Sequence, residues 1–334
     1  MNQRCQNILL IGSVALLTSV ISHLGVVGLG LETAAIHRSR FDTHSISPPV
    51  LMLGSSLVLN ALDLNWISKA AGRAIEIRSA PSASVSELDI LRNEVEGSNL
   101  LVLGVSMYDL NEHFLCDFRS EIVPFSRTVS DLWRLESNWS EMKPFISQYA
   151  LTAIRKVYPS AGRSYGILVG IRSRLKQWRR GFQSKNSDVA LTMDPENKGG
   201  TNESILSWSN ARTLRNEARL RAVCGGKHTF DGLKRLALFR IMEDFCKQGD
   251  VAVLVLPVSP PYREDLVDVD AISRFENLLG EIGAEYPSVQ VIRLDQQERF
   301  NDGALYLDLV HMNRRGRMLA TEAFLAEIQG LSLP

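Results

Sequence analysis

The chain has 334 residues, of which 45% are hydrophobic and 22% charged, enough for one large folded domain or two small ones with ample core. Its 37 basic and 37 acidic residues cancel, so no global charge draws it to nucleic acid or another polyanion. The four cysteines (Cys5, Cys116, Cys224 and Cys246) lack C-x-x-C spacing and support neither a zinc nor a dithiol redox site, although a Cys116–Cys224 or Cys224–Cys246 disulfide stays open for an exported domain.

After a short tail (1–7), residues 8–31, ILLIGSVALLTSVISHLGVVGLGL, form an apolar run long enough to span a bilayer with some tilt. It is read as a transmembrane signal anchor. Thr33-Ala34-Ala35 offers a small-residue cleavage site, so a removable signal peptide is the alternative. Residues 32–49 are polar, end in Pro-Pro, and read as a linker. The expected location is therefore membrane-anchored, with the globular part expected outside the cytoplasm but the orientation left open, because Arg4 and the N-terminal amine compete with Arg38 and Arg40 under the positive-inside rule.

The globular part starts at residue 50. Apolar, β-rich runs at 50–53, 74–77 and 100–103 are separated by helical patterns at 57–71 and 85–96. Two further strands, 251–256 and 289–294, flank a helix at 268–286. Strands alternating with helices predict βαβ units and an α/β fold with a parallel sheet of about five strands. Between the third and fourth strands, residues 117–229 read as a mostly helical insertion. Its basic amphipathic stretch at 171–182 suits either an anionic surface or a solvated helix face.

Polar motifs follow the strand ends, where open α/β sheets place their sites. The run 50–60, VLMLGSSLVLN, ends its strand in Gly-Ser-Ser; Gly54 is expected to free the backbone for the turn, and Ser56 falls at the helix start. A hydroxyl there serves either as a helix cap or as a nucleophile beside unpaired backbone N–H groups. Near the C-terminus, LYLDLVHMNRRGR places Asp308 three residues before His311, expected on one helical turn. A carboxylate so placed can hold imidazole Nδ1 and leave Nε2 to take a proton. After the fourth strand, Tyr262 and Arg263 of PVSPPYR would line the same cleft and touch a sugar or an anion, although a proline-rich turn explains the segment equally well. No G-x-G-x-x-G, P-loop or metal-ligand cluster occurs, so neither metal nor other cofactor is expected.

The order Gly-x-Ser after the first strand, a loop after the third, and D-x-x-H after the last resembles the SGNH, or GDSL-like, hydrolase superfamily. The resemblance implies a flavodoxin-like three-layer sandwich, with Ser56 as nucleophile, His311 as general base and acid, and Asp308 as the orienting carboxylate. It covers the sheet elements and not the insertion. Ser55 stands where that family has Asp. The second block, RSAPSAS, has no Gly, which leaves a backbone N–H near Ser82 as oxyanion donor. In the third block Gly104 is kept, but Ser106 stands at the Asn position. With the anchor and insert, the chain looks like the envelope branch that moves acyl groups on exported polysaccharides. The implied partners are an acylated polysaccharide or an acyl-donor protein, and the implied activity is that of an acyl esterase or O-acyltransferase. A scaffold with reduced catalysis, serving as a binding or assembly subunit, is the alternative.

Overall fold

The computed structural model describes residues 50–72, 75–80, 85–91, 100–112, 125–137, 139–157, 203–207, 209, 214, 217–218 and 228–329. The apolar run 8–31, Ser82, and the cysteines at 5, 116 and 224 lie outside them. Among the described residues no helix is long and apolar enough to cross a membrane. Cys246 carries a free thiol.

The elements run β1 Val50–Ser55, α1 Ser56–Ala61, α2 Leu64–Ala71, β2 Ile75–Ala80, α3 Val85–Leu91, β3 Leu100–Val105, α4 Met107–Leu110, α5 Phe125–Arg134, α6 Trp139–Val157, α7 Leu233–Phe245, β4 Asp250–Val255, α8 Pro260–Asp265, α9 Val269–Glu285, β5 Gln290–Arg293 and α10 Arg314–Gln329. Helix α6 belongs to a compact unit separate from the one that holds the sheet. Helix α5 and residues 203–207, both inside the span expected as an insertion, belong to the sheet-bearing unit.

All five strands are parallel, in the order β2-β1-β3-β4-β5. The strand sequences are nearly continuous apolar runs because both faces are covered. Val50, Met52, Leu100, Val102, Ala252, Leu254 and Ile292 pack with Leu57, Val58, Ala61 and Ile67 of α1 and α2, and with Ala320, Ala323 and Phe324 of α10. The alternate residues Leu51, Leu53, Leu101, Leu103, Val251 and Val253 are equally buried outside that cluster; α3, α7 and α9 contact β1, β4 and β5 and carry their own buried stripes, including Leu88, Leu238, Met242 and Phe275.

Two expectations need correction. The helix expected over 57–71 is two helices, because Asp63 interrupts it: its carboxylate accepts the Trp66 N–H at 3.1 Å and caps α2. Gly54 is not a turn residue. It lies inside β1, paired with Ser79, and among the described glycines only Gly72 has a positive φ. A Cβ on Gly54 would stand 2.1 Å from Val58 Cγ2, and one on Gly104 of β3 would stand 2.2 Å from the same atom. Two bare backbones on adjoining strands thus let Val58 sink onto the sheet and bring α1 close over the ends of β1 and β3.

A candidate Ser-His-Asp site at the strand ends

Because β1 runs straight into α1, the first helical residue, Ser56, sits at the edge of the sheet. Ser55 is the N-cap: its Oγ accepts the Leu57 N–H at 3.1 Å, which leaves the Ser56 hydroxyl uncommitted to capping. The turn is tied at two more points. Ser79 Oγ of β2 donates to Ser55 O at 2.6 Å, and buried Asn60 donates through Nδ2 to Ser56 O at 2.6 Å.

Ser56 Oγ lies 2.9 Å from His311 Nε2, a contact between residues 255 positions apart. His311 Nδ1 lies 3.0 Å from Asp308 Oδ1 and 2.9 Å from Oδ2. Asp308 Oδ1 also accepts the backbone N–H of Val310 at 2.9 Å and of His311 at 2.8 Å. The three side chains are half-buried. Burial alone raises the Asp308 pKa, but the hydrogen bond and charge of His311, with those two N–H groups, outweigh it and hold the carboxyl below its ordinary value.

Asp308 and His311 do not lie on a helical turn, contrary to the spacing argument. They sit in a loop that precedes α10 and is closed by the Tyr306–Met312 bridge and by Leu307 N–H donating to His311 O at 2.8 Å. Within it Asp308 makes an Asx turn, whose i to i+2 and i+3 bonds bring carboxylate and imidazole together as a helix would have done.

The loop is held from three sides. Buried Ser259 donates through Oγ to Leu309 O at 2.8 Å. Asn313 donates through Nδ2 to Ala304 O at 2.7 Å and Glu203 O at 3.3 Å, while its Oδ1 accepts Gly316 N–H at 3.1 Å and starts α10. Any Cβ on Gly316 would meet Leu305 O at 2.3 Å, so α10 leaves the loop at a contact only glycine permits. Helix α10 then locks onto the nucleophile side: Arg317 Nε donates to Leu62 O at 2.9 Å and Asp63 N–H to Thr321 Oγ1 at 2.9 Å.

The remaining expected residues are placed differently. Tyr262 is fully buried; its OH lies 2.8 Å from His228 Nε2 and its ring stands edge-on to Tyr108, so it offers no surface to a sugar. Arg263 donates to Asn301 Oδ1 at 2.9 Å. Gly104 lies within β3 opposite Leu254, where its missing Cβ serves Val58. The Ser106 hydroxyl is fully buried and donates to Asp109 Oδ2 at 2.9 Å, so it departs from the oxyanion role expected for it. Ser82 falls outside the described residues. Ser259 was not singled out from the sequence, although Ser before Pro-Pro is a helix N-cap signature.

No group of three or more His, Cys, Asp or Glu among the described residues could hold a metal ion. What the arrangement offers is proton transfer: a hydroxyl on imidazole Nε2, with Nδ1 on a carboxylate.

No family model matches the chain, and no curated protein matches it. One similar solved structure is described as "a putative platelet activating factor from Streptococcus pneumonia"; it is 10% identical, covers 95% of this chain and 99% of its own, and superposes with a TM-score of 0.37. A likeness this slight carries no argument about chemistry, which rests on the residues themselves.

Proposed function

We propose that the protein is a serine acyl esterase or O-acyltransferase of SGNH type, on a flavodoxin-like three-layer sandwich. One observation supports the reading above all others: the continuous hydrogen-bonded line from Ser56 Oγ through His311 to Asp308. Ser56 Oγ attacks the ester carbonyl while its proton passes to Nε2. The imidazolium so formed is stabilised by Asp308, which also keeps Nδ1 protonated. The oxyanion meets the N–H of Ser56, in the first turn of α1 where N–H groups have no intrahelical acceptor. Nε2 then gives its proton to the departing alkoxide. A water, or a sugar hydroxyl, attacks the acyl-enzyme with His311 as base.

In this reading residues 8–31 anchor the chain in a membrane with the catalytic unit outside the cytoplasm. The ester belongs to an O-acylated exported polysaccharide, and residues within 117–229 hold the polymer or an acyl-donor protein. This assignment of substrate and place rests on the resemblance of the sequence motifs.

The test is reaction of the purified full-length chain with a fluorophosphonate, read by intact mass. A stoichiometric adduct on wild type, absent from Ser56→Ala and His311→Ala, is the expected result. A folded protein that forms no adduct would transfer the assignment to a polysaccharide-binding or assembly subunit, the reading favoured by the inward-turned Ser106 hydroxyl.

A further inference from the structure

Asp308 and His311 are half-buried, but the two residues between them belong to the core: Leu309 is 0% exposed and Val310 5%. The loop thus carries its two polar ends on an apolar middle, and a carbonyl withdrawn from water there must find a donor. The Leu309 carbonyl finds two, both on Ser259, whose N–H donates at 3.2 Å and whose Oγ donates at 2.8 Å. Ser259 is itself fully buried and caps α8, its Oγ accepting the Tyr262 N–H at 3.3 Å. A hydroxyl has one proton and a carbonyl can only accept, so the Ser259 proton is committed to Leu309.

Ser259 follows the end of β4. Leu256 N–H donates to Val105 O at 2.7 Å and extends the β3–β4 pairing past the end of β4. Strand β3 pairs in turn with β1, whose last residue directly precedes Ser56. Nucleophile and base therefore share one reference, the sheet: a hydrogen-bonded path crosses from β1 through β3 and β4 and reaches, by way of Ser259, a carbonyl that lies between Asp308 and His311. The ties of Arg317 and Thr321 to Leu62 and Asp63 are made beyond the loop, from α10.

We propose that Ser259 is a positioning residue: its hydroxyl registers the Asp308–His311 loop on the end of β4 and so holds His311 Nε2 within reach of Ser56 Oγ. This rests on Ser56 and His311 being the reactive pair, as proposed above. The Asx turn keeps imidazole and carboxylate together by its own hydrogen bonds. Loss of the Ser259 hydroxyl accordingly displaces the two as a unit from Ser56 and does not part them from each other.

The test compares the full-length wild type with Ser259→Ala and Ser259→Gly, folding being checked by near-ultraviolet circular dichroism. Both variants remove the hydroxyl and keep the backbone N–H to Leu309. They differ at α8, since glycine is a tolerated N-cap and alanine a poor one; the Ser259 backbone, at φ −62° and ψ 151°, admits either. Both are expected to label Ser56 with fluorophosphonate about 10- to 100-fold more slowly, as for a reacting atom displaced by about 1 Å. Ser259→Gly carries the test if Ser259→Ala does not fold, and Ser259→Cys, a weak donor, if neither does. Wild-type labelling by folded Ser259→Gly would overturn the proposal, and slow labelling by Ser259→Ala alone would reduce the role to capping α8.

A second readout follows the His311 titration by ¹⁵N NMR with and without the Ser56 hydroxyl, in wild type and in Ser259→Gly. Because Ser56 Oγ meets Nε2, Ser56→Ala should shift that titration in the wild-type background. The shift should shrink in Ser259→Gly, which a loss of stability alone would not produce; a shift of equal size in both backgrounds would overturn the proposal. If wild type does not label while the shift still shrinks, the positioning role stands and the nucleophile assignment falls. No labelling and no shift in wild type would overturn both.

Discussion

Two aspartates near the site, Asp308 and Asp109, are driven in opposite directions. In both, burial is the largest influence and raises the pKa. At Asp308 an imidazole and two backbone N–H groups bond the carboxylate, and the net shift is downward. At Asp109 two serine hydroxyls and the Lys234 charge act against burial and do not overcome it, so the net shift is upward. The difference lies in the geometry of the donors. An Asx turn aims two N–H groups at Oδ1 and sets the histidine across both carboxylate oxygens, whereas Lys234 Nζ bonds backbone carbonyls and acts on the Asp109 carboxylate through its charge. A carboxylate of the first kind suits the orientation and stabilisation of an imidazolium; one of the second kind suits internal architecture.

The comparison breaks most sharply at Asp308→Asn. The amide preserves the shape of the turn but removes the charge and allows the wrong imidazole tautomer. Labelling of Ser56 should fall by about 10⁴-fold with the fold intact, measured as a second-order rate constant. A fall below tenfold would mean that the carboxylate does not serve His311 in this way.

Lys234→Met strikes the other carboxylate. It removes the charge that acts on Asp109 and the Nζ that donates to two backbone oxygens, at a site that is 1% exposed. Urea unfolding should show a loss of about 1–3 kcal/mol, the range for leaving a buried hydrogen-bonding group unsatisfied. A change within experimental error would show that water takes over both carbonyls.

The smallest effect is the most diagnostic, because it differs in sign. Asp308, with its folded pKa depressed, contributes stability that is present above the unfolded value of about 3.9 and lost as pH falls through the folded one. Asp109, with its folded pKa raised, contributes stability that is complete below that unfolded value and lost as pH rises through the folded one. Unfolding free energies measured across the acid range should therefore make wild type gain on Asp308→Asn as pH rises, and lose ground to Asp109→Asn. Slopes of the same sign would refute the opposed shifts.

How much of this was legible beforehand depends on the range of the interaction. The five parallel strands could be read because a strand buried on both faces must be an apolar run, whatever lies beside it. Ser56 and the pair Asp308 and His311 could be picked out because each stands next to a strand end or within three residues of its partner. The break at Asp63 is a local capping signal that the apolar periodicity on either side concealed.

The alternation of elements, the apolar strands and the side chains able to move a proton depend on composition and near neighbours, and are written along the chain. The packed fold sets what those side chains meet. It turned Ser106 and Tyr262 inward, gave Gly54 and Gly104 to a single valine methyl, and assigned Ser259 and Asn313 to the loop of His311. Contacts of this kind join segments as much as 258 residues apart. They arise from how α10 packs on α1 and how the strand ends converge, and no spacing along the chain encodes them.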